Sequence, residues 1–293
     1  MKMTATIRLT TAEHIRRPEF QVRLQVDRRN QRLKVLAYRY AEVAPLADCL
    51  VETARVHGLG KIVLCARDSD WDAFLSRGFA LEGRLDRFYN GAPGCYMAYF
   101  LDGDRLCSGR HEQHQEILEG VLGQPIAPAG DLPAGYALVT ADAAMADELA
   151  TVYDQVFASY PSPLTDGAYV RELMASGEGL FLAVTSEGRI VSAAAAEIER
   201  ADGNAELTNC ATLPDYRGEG LMAVLIEALE RANHGATCLY SMARACSFGM
   251  NLVLHRAGYT FRGRLISHAS IDGRFEDLNL WEHPGGAPAS GSE

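Results

Sequence analysis

The sequence predicts a mixed α/β protein built as two units, and three observations carry that reading. Short apolar, β-branched runs alternate with helix-period segments that stop at glycines, along almost all of the 293 residues. A proline- and glycine-rich stretch with hardly a long apolar side chain, QPIAPAGDLPAG at 124–135, divides them. Beyond it, residues 205–231 read as a strand (AELTNCATLP), a glycine-bearing turn (DYRGEG) and an amphipathic helix (LMAVLIEALER). Glycines let a chain turn tightly, and the free N–H groups of the helix start, backed by the helix dipole, then favour a phosphate or pyrophosphate.

Residues 1–40 are β-rich: Phe20–Val26 and Arg32–Tyr40 alternate apolar and polar positions about a turn at Asp27-Arg28-Arg29-Asn30. APLADCLVETARVHG has Leu46, Leu50 and Ala54 at helical spacing and ends at Gly58. KIVLCA (61–66) reads as a buried strand. DSDWDAFLSRG reads as a helix with Asp68 or Ser69 as N-cap and Gly78 as its stop. The runs FALEGRLDRFY and CYMAYFL flank Asn90-Gly91, a hairpin signal. SGRHEQHQEILEGVLG is a connecting helix on which His111 and His114, without a third ligand nearby, are expected on a solvated face.

After the linker, a strand (GYALVTA) precedes helices over 143–157 and 168–176, joined by the proline-bearing loop ASYPSPLTD. Strands GLFLAVTSEG and RIVSAAAAEIER turn at Glu187-Gly188, and Ala201-Asp202-Gly203-Asn204 leads into the glycine-turn unit. A strand over 237–243, a helix over 247–257 ending at Gly258, and two strands about Asp272-Gly273 complete it. The predicted domains are 1–110, a connecting helix and linker at 111–134, 135–282, and a disordered tail at 283–293.

KIVLCARDSDWDAFLSRGFALEGRL can be laid beside CLYSMARACSFGMNLVLHRAGYTFRGRL, so that Ala66-Arg67 meets Ala243-Arg244 and Gly83-Arg84-Leu85 meets Gly263-Arg264-Leu265. Two related domains are therefore expected, of which only the second has the glycine turn.

A formal charge of -10 argues against a broad nucleic-acid surface. The seven cysteines are scattered with no CxxC pair, which suits reduced thiols rather than disulfides or zinc. No leader-like apolar region opens the chain and no window approaches ~20 apolar residues, so a cytoplasmic protein without a membrane partner is expected.

The glycine turn has no Gly-Lys-Ser/Thr and is not a Walker loop. It resembles the acetyl-CoA-binding motif Q/R-x-x-G-x-G/A of the GNAT N-acetyltransferases, with Arg217 and Gly220 in place and Met222 where Gly or Ala is usual. The resemblance covers about 135–282. It implies a mixed, mostly antiparallel central sheet flanked by helices, preceded here by a smaller, degenerate GNAT-like α/β domain. It implies that main-chain groups of Gly218, Glu219, Gly220, Leu221 and Met222 hold a pyrophosphate, that the chain around Cys210, Ala211 and Thr212 pairs with the pantetheine arm, and that acetyl-CoA is the acyl donor, with no metal. Glu206 stands where several members keep a catalytic glutamate and is the candidate general base. Glu197 and Glu199, two apart on a strand, share a face, where a substrate contact and an outward-facing ladder are the alternatives. Leu254 replaces the tyrosine that often serves as acid, and Ser247 replaces the usual asparagine, where it is expected to hydrogen-bond the donor. Tyr160, Tyr240 and Tyr259 are the other phenols.

A finer resemblance, to the beta-lysine N-acetyltransferases, is spread over both domains: DRRNQRLKV (27–35), the GKIV…GFALEG…FYNG run (60–91), FASYPSP (157–163), TNCATLPDYRGEGLM (208–222), ARACSFGMN (243–251) and GRFEDLNLW (273–281). It accounts for Met222. The alternatives are a GNAT acetyltransferase for another small amine (a polyamine, amino acid or aminoglycoside) and a non-catalytic acyl-CoA-binding protein. The finer resemblance implies acetylation of the ε-amine of β-lysine to give the compatible solute Nε-acetyl-β-lysine, an osmoadaptation role. Such a substrate needs carboxylates for its amines and a cation for its carboxylate, and Glu276, Asp277, Arg244, Arg264 and Tyr160 are the expected contacts. The N-terminal domain is expected to bind no CoA, and either to cover part of the active site or to form a homodimer surface.

Overall fold

The computed structural model describes residues 10–283, so the tail expected to be disordered lies outside the described residues from 284 onward. In the first half, β1 (Thr10–Arg16), β2 (Phe20–Asp27) and β3 (Arg32–Tyr40) form an antiparallel meander. Helix α1 (Val43–Val56) crosses over to β4 (Lys61–Arg67), which runs parallel to β3. Helix α2 (Trp71–Leu75) then leads to the hairpin of β5 (Ala80–Tyr89) and β6 (Ala92–Phe100), with β6 against β4.

Helix α3 (His111–Leu122) and the proline-rich segment lead to β7 (Tyr136–Thr140), α4 (Ala146–Val156), α5 (Gly167–Ala175), β8 (Gly179–Ser186) and β9 (Arg189–Glu199). The chain ends in β10 (Asn204–Thr212), α6 (Leu221–Ala232), β11 (Cys238–Arg244), α7 (Phe248–Arg256), β12 (Thr260–Ile271) and β13 (Arg274–Glu282). Helix faces follow the apolar periodicity: α1 buries Leu46, Ala47, Leu50 and Ala54, and α6 buries Leu221, Leu225, Ile226, Ala228 and Leu229.

One sheet contains all 13 of these strands, in the order β1-β2-β3-β4-β6-β5-β12-β13-β11-β10-β9-β8-β7. With β7 set aside at one end, it repeats itself when followed inward: β1-β2-β3-α1-β4-α2-β5-β6 has the same connectivity as β8-β9-β10-α6-β11-α7-β12-β13. The halves join edge to edge where Gly83 of β5 pairs with Gly263 of β12, the two glycines that the repeat aligns. No larger residue fits there. A Cβ on Gly263 would lie 2.2 Å from the carbonyl oxygen of Glu82 and 2.5 Å from the Cα of Gly83.

A buried polar seam reinforces this junction. Strand β12 slips register between Leu265 and Ala269, which frees the carbonyls of Ile266, Ser267 and His268. Cations of the first half take all three: Lys61 Nζ donates to Ile266 at 2.6 Å, Arg105 to Ser267 at 2.6 Å and Arg32 to His268 at 2.9 Å. Lys61 is fully buried and also donates to both oxygens of Glu82 at 2.9 Å, and Arg32 pairs with Asp27 at 2.9 Å.

The expected solvated histidine face is corrected for one residue. His111 is exposed, but His114 is buried and pairs with Asp277 Oδ2 at 3.0 Å, because the helix packs this side against β13. The N-cap of α2 is Asp70 rather than Asp68 or Ser69, and its carboxylate is committed to the Tyr38 hydroxyl at 2.7 Å. Among the described residues, no helix is long and apolar enough to cross a membrane.

Candidate active site

The site is created by a divergence within the second half. Strands β10 and β11 pair in parallel only at Asn204 with Cys238, Ala205 with Leu239 and Glu206 with Tyr240. Beyond Glu206 no ladder bond joins them, and only the Ser241 hydroxyl, donating to Leu207 O at 2.6 Å, still spans the gap. On its other edge β10 slips register against β9 between Thr208 and Ala211, with Asn209 in the left-handed region at φ 56°. Such a bulge sharpens the local twist, and here it accompanies the opening of a wedge between two parallel strands. Glu206 sits at its vertex.

The wide end of the wedge leads to the glycine turn. Gly218 and Gly220 have φ of 85° and 79°, and an added Cβ at either would meet nothing within 4 Å. Backbone conformation, not crowding, requires glycine there. Gly220 is the N-cap of α6 and supplies no side-chain acceptor, so the first N–H groups of the helix, at Leu221 and Met222, face outward uncapped. This suits a diphosphate. Surrounding side chains are turned away from the amides: Arg217 Nε donates to Thr212 O at 3.1 Å, Glu219 accepts from Tyr136 at 2.5 Å, and Met222 packs on the apolar core with the buried Leu221. Along the wedge, the Thr212 hydroxyl pairs with Ser192 Oγ at 2.8 Å. The half-buried Cys210 thiol contacts Thr208 O at 3.6 Å and is pushed up to about 12 by burial, then by Glu206.

At the vertex, Glu206 stands directly across the ladder from Glu197. Desolvation first, and the Glu197 charge second, push the Glu206 carboxyl up from an ordinary 4.5 to about 7, with Lys34, Arg32 and the Tyr240 hydroxyl opposing. Tyr240 reaches Glu206 Oε2 at 3.4 Å. Asn209 donates to Glu197 Oε1 at 3.0 Å and accepts from the Tyr160 hydroxyl at 3.3 Å. Tyr160 belongs to the loop after α4, which the first half holds: Arg29 donates to Tyr160 O at 2.6 Å and to Ser162 O at 3.1 Å, and Asn30 donates to Pro161 O at 3.4 Å. The N-terminal half therefore helps to position the loop that carries Tyr160. A carboxylate that titrates near neutrality, aimed at the vertex of a backbone-lined wedge, is equipped to take a proton from an ammonium.

Several residues expected to touch substrate are instead committed elsewhere. Glu276 is fully buried, with Arg110 at 3.0 Å, Arg274 at 2.6 Å and the Cys246 thiol at 3.5 Å. Asp277 is saturated by His114 and by the N–H of Ser267 at 2.8 Å. Neither carboxylate is free for an amine. Arg264 is used by Asn279 at 2.9 Å and by His114 O at 3.1 Å, again as structure. Arg244 pairs with Asp272 at 2.9 Å, whose other oxygen accepts from Ser159 N at 3.4 Å, so it steadies the loop that carries Tyr160. Ser247 is the N-cap of α7, accepting from Met250 N at 3.4 Å, and Leu254, in the tyrosine position, is a core residue.

Fold and site together define an N-acetyltransferase of the GNAT family, whose members use acetyl-CoA, and the chain belongs to that family. The profile of the Acetyltransferase (GNAT) family matches residues 146–248. N-acetyltransferase YodP of Bacillus subtilis is 35% identical over 260 residues, spanning 88% of this chain and 94% of that protein. A beta-lysine N(6)-acetyltransferase of Methanosarcina mazei is 32% identical over 83% of this chain and 97% of its own length, and one of Methanococcus maripaludis is 25% identical over 88% and 94%.

Residues absent from the expected site are Asn209, whose left-handed bulge leaves no motif, and Lys34, which lies in the other half of the chain. Glu197 was open between a substrate contact and an outward ladder, and it faces Glu206. The repeat itself carries the signal for Lys34: the parallel pairs Arg32–Lys61, Leu33–Ile62 and Lys34–Val63 correspond in order to Asn204–Cys238, Ala205–Leu239 and Glu206–Tyr240.

Proposed function

We propose that the protein transfers the acetyl group of acetyl-CoA to the ε-amine of β-lysine. The observation that carries the chemistry is Glu206 at the vertex, with an acidity near neutrality and a second carboxylate, Glu197, across the ladder. The acceptor is supported by the likeness to two beta-lysine N(6)-acetyltransferases, which extends over nearly their whole length.

In this reading the uncapped amides of α6 hold the diphosphate of the donor, and the open edge of β10 lines its pantetheine arm. Glu206 accepts a proton from the terminal ammonium. The freed amine forms the C–N bond with the thioester carbon, the C–S bond breaks, and CoA leaves as its thiolate, which takes up the second proton that the nitrogen sheds as the amide forms. A thiolate is a tolerable leaving group, so Leu254 in the tyrosine position is compatible with turnover. Glu197, held by Asn209, offers a negative charge for the second ammonium. The product would serve as a compatible solute in the cytoplasm.

The test is release of CoA thiol from acetyl-CoA by the purified protein with β-lysine, α-lysine, spermidine and an aminoglycoside as acceptors, and fragmentation of the product to locate the acetyl group. β-Lysine is expected to be preferred by at least about tenfold, roughly 1.4 kcal/mol in kcat/KM. Turnover of another amine with β-lysine ignored rejects the acceptor and leaves the acetyltransferase chemistry standing.

A further inference from the structure

We infer that Lys34, brought into the acceptor pocket by the N-terminal half, holds the carboxylate of the amine substrate. This rests on the reading above that the acceptor is an amino acid acetylated at its distal amine.

The argument starts from what positions Lys34. Strand β3 is fixed on both sides, by β2 and by β4, where Lys34 is in register with Val63. Two residues earlier on the same face, Arg32 is clamped between Asp27 and the carbonyl of His268. The turn before it is tied down by Arg29 and Asn30 on the loop of Tyr160, and Asn30 Oδ1 also accepts from Ser270 N at 2.8 Å. Lys34 is thus held on a rigid support at the edge of the second half.

What surrounds it is the acceptor side of the site. The charges acting on Lys34 from the second half are those of Glu206 and Glu197, and from its own half those of Arg32 and Asp27. Yet the Lys34 ammonium makes no hydrogen bond or close ion pair with any described residue, whereas the side chains of the neighbouring buried cations Arg32, Lys61 and Arg105 all do. A half-buried ammonium without an anion against it carries a desolvation cost that no protein group offsets. Burial accordingly lowers its affinity for the proton, and the Arg32 charge adds to that. His268, 6% exposed, lies in the same field, and its Nδ1 has no partner. An ammonium with no protein anion against it and a buried imidazole nitrogen without a partner on one side, and two carboxylates on the other, describe an incomplete electrostatic set.

β-Lysine completes it. The molecule carries two ammonium groups and one carboxylate. Glu206 and Glu197 match the two amines, and Lys34 matches the carboxylate, giving a pocket of the opposite charge pattern to the ligand. A simple polyamine would leave Lys34 unanswered and opposed by like charge. The N-terminal half thereby supplies the group that separates amino acids from polyamines.

The experiment compares β-lysine with β-lysine amide, which keeps both amines and loses the anion, in wild type and in Lys34→Met and Lys34→Arg. A charge-assisted contact of this kind is worth roughly tenfold to a hundredfold in binding. Wild type is expected to show a KM for β-lysine about tenfold or more below that for the amide. Lys34→Met should erase this preference by raising the β-lysine KM alone, with kcat within about threefold, and Lys34→Arg should restore much of it. A Lys34→Met enzyme that loses activity equally on both acceptors, or that only moves the pH profile, overturns the inference, since a residue that merely tunes Glu206 would do that. If Lys34→Met does not fold, wild-type indifference between acid and amide overturns it just as well. Wild type that ignores both compounds rejects the acceptor assignment instead, a different and separable result.

Discussion

Replacing Glu206 by Gln should abolish most activity while making the protein more stable at alkaline pH. A carboxyl moved from 4.5 to about 7 is disfavoured as an anion by about 3 kcal/mol relative to the unfolded chain. The sign follows from proton binding. Between pH 4.5 and about 7 the folded state retains a proton that the unfolded state has lost, so folding stability falls as pH rises through that window. Above it, the whole of about 3 kcal/mol is missing. Gln cannot ionise, so the variant should be stabilised by up to that amount at pH 8 and be little changed at pH 4. Urea denaturation at the two pH values reads this directly. Activity should fall by about a hundredfold or more, as expected for loss of a general base. Wild-type kcat should rise with pH and level off above about 7, because only the ionised form accepts the proton. A variant within a few-fold of wild type at pH 8, or a flat wild-type profile from pH 6 to 8, would refute Glu206 as the base.

Two further substitutions probe the donor cradle and the junction. Gly220→Val forces a β-branched residue to φ 79° where there is open space around the Cβ, so the cost is conformational, about 1–2 kcal/mol. Its KM for acetyl-CoA should rise about tenfold in steady-state kinetics (roughly 1.4 kcal/mol of donor binding), with that for the amine little changed. Lys61→Met leaves Glu82 buried without its cation and Ile266 O without its donor, and should lower stability by about 3–5 kcal/mol in urea melts. The loss should shrink at low pH, where Glu82 can take up a proton, and the double variant Lys61→Met, Glu82→Leu should recover much of it.

Local chemistry explains which parts were legible in the sequence. Strands and helices whose apolar period matches their geometry were readable, as with α1 and β2, and so were turns whose glycines are forced by positive φ, such as Gly188 and Gly220. The glycine turn proposed as the donor cradle was readable for the same reason: it is a short contiguous stretch of backbone. The charge cluster about Glu206 was not, because its members come from strands remote in sequence. Glu276 and Asp277 looked like ligands for an amine, since sequence shows two acidic residues but not Arg110, Arg274 and His114 folding back onto them. Lys34 looked like any strand lysine, since nothing local shows that its turn reaches the loop of Tyr160.

The repeat accounts for the proposed division in which one half carries the donor and the other serves the acceptor. In the first half the parallel pair β3–β4 also ends after Lys34 and Val35, leaving a second wedge. Tyr38, at the position that corresponds to Cys210, fills it: its hydroxyl accepts from the N–H of Arg67 at 2.9 Å and donates to Asp70, and its ring packs edge-on against Phe74. A pantetheine arm would need those same main-chain groups and that same space. The following helix starts at Val43 with Glu42 before it, without glycine or left-handed backbone, so no diphosphate cradle forms there either. In this half the register counterpart of Glu206 is Lys34. There the base is replaced by a cation. On the proposed reading, the same strand geometry that sets a carboxylate at the amine in one half sets an ammonium at the far end of the acceptor in the other.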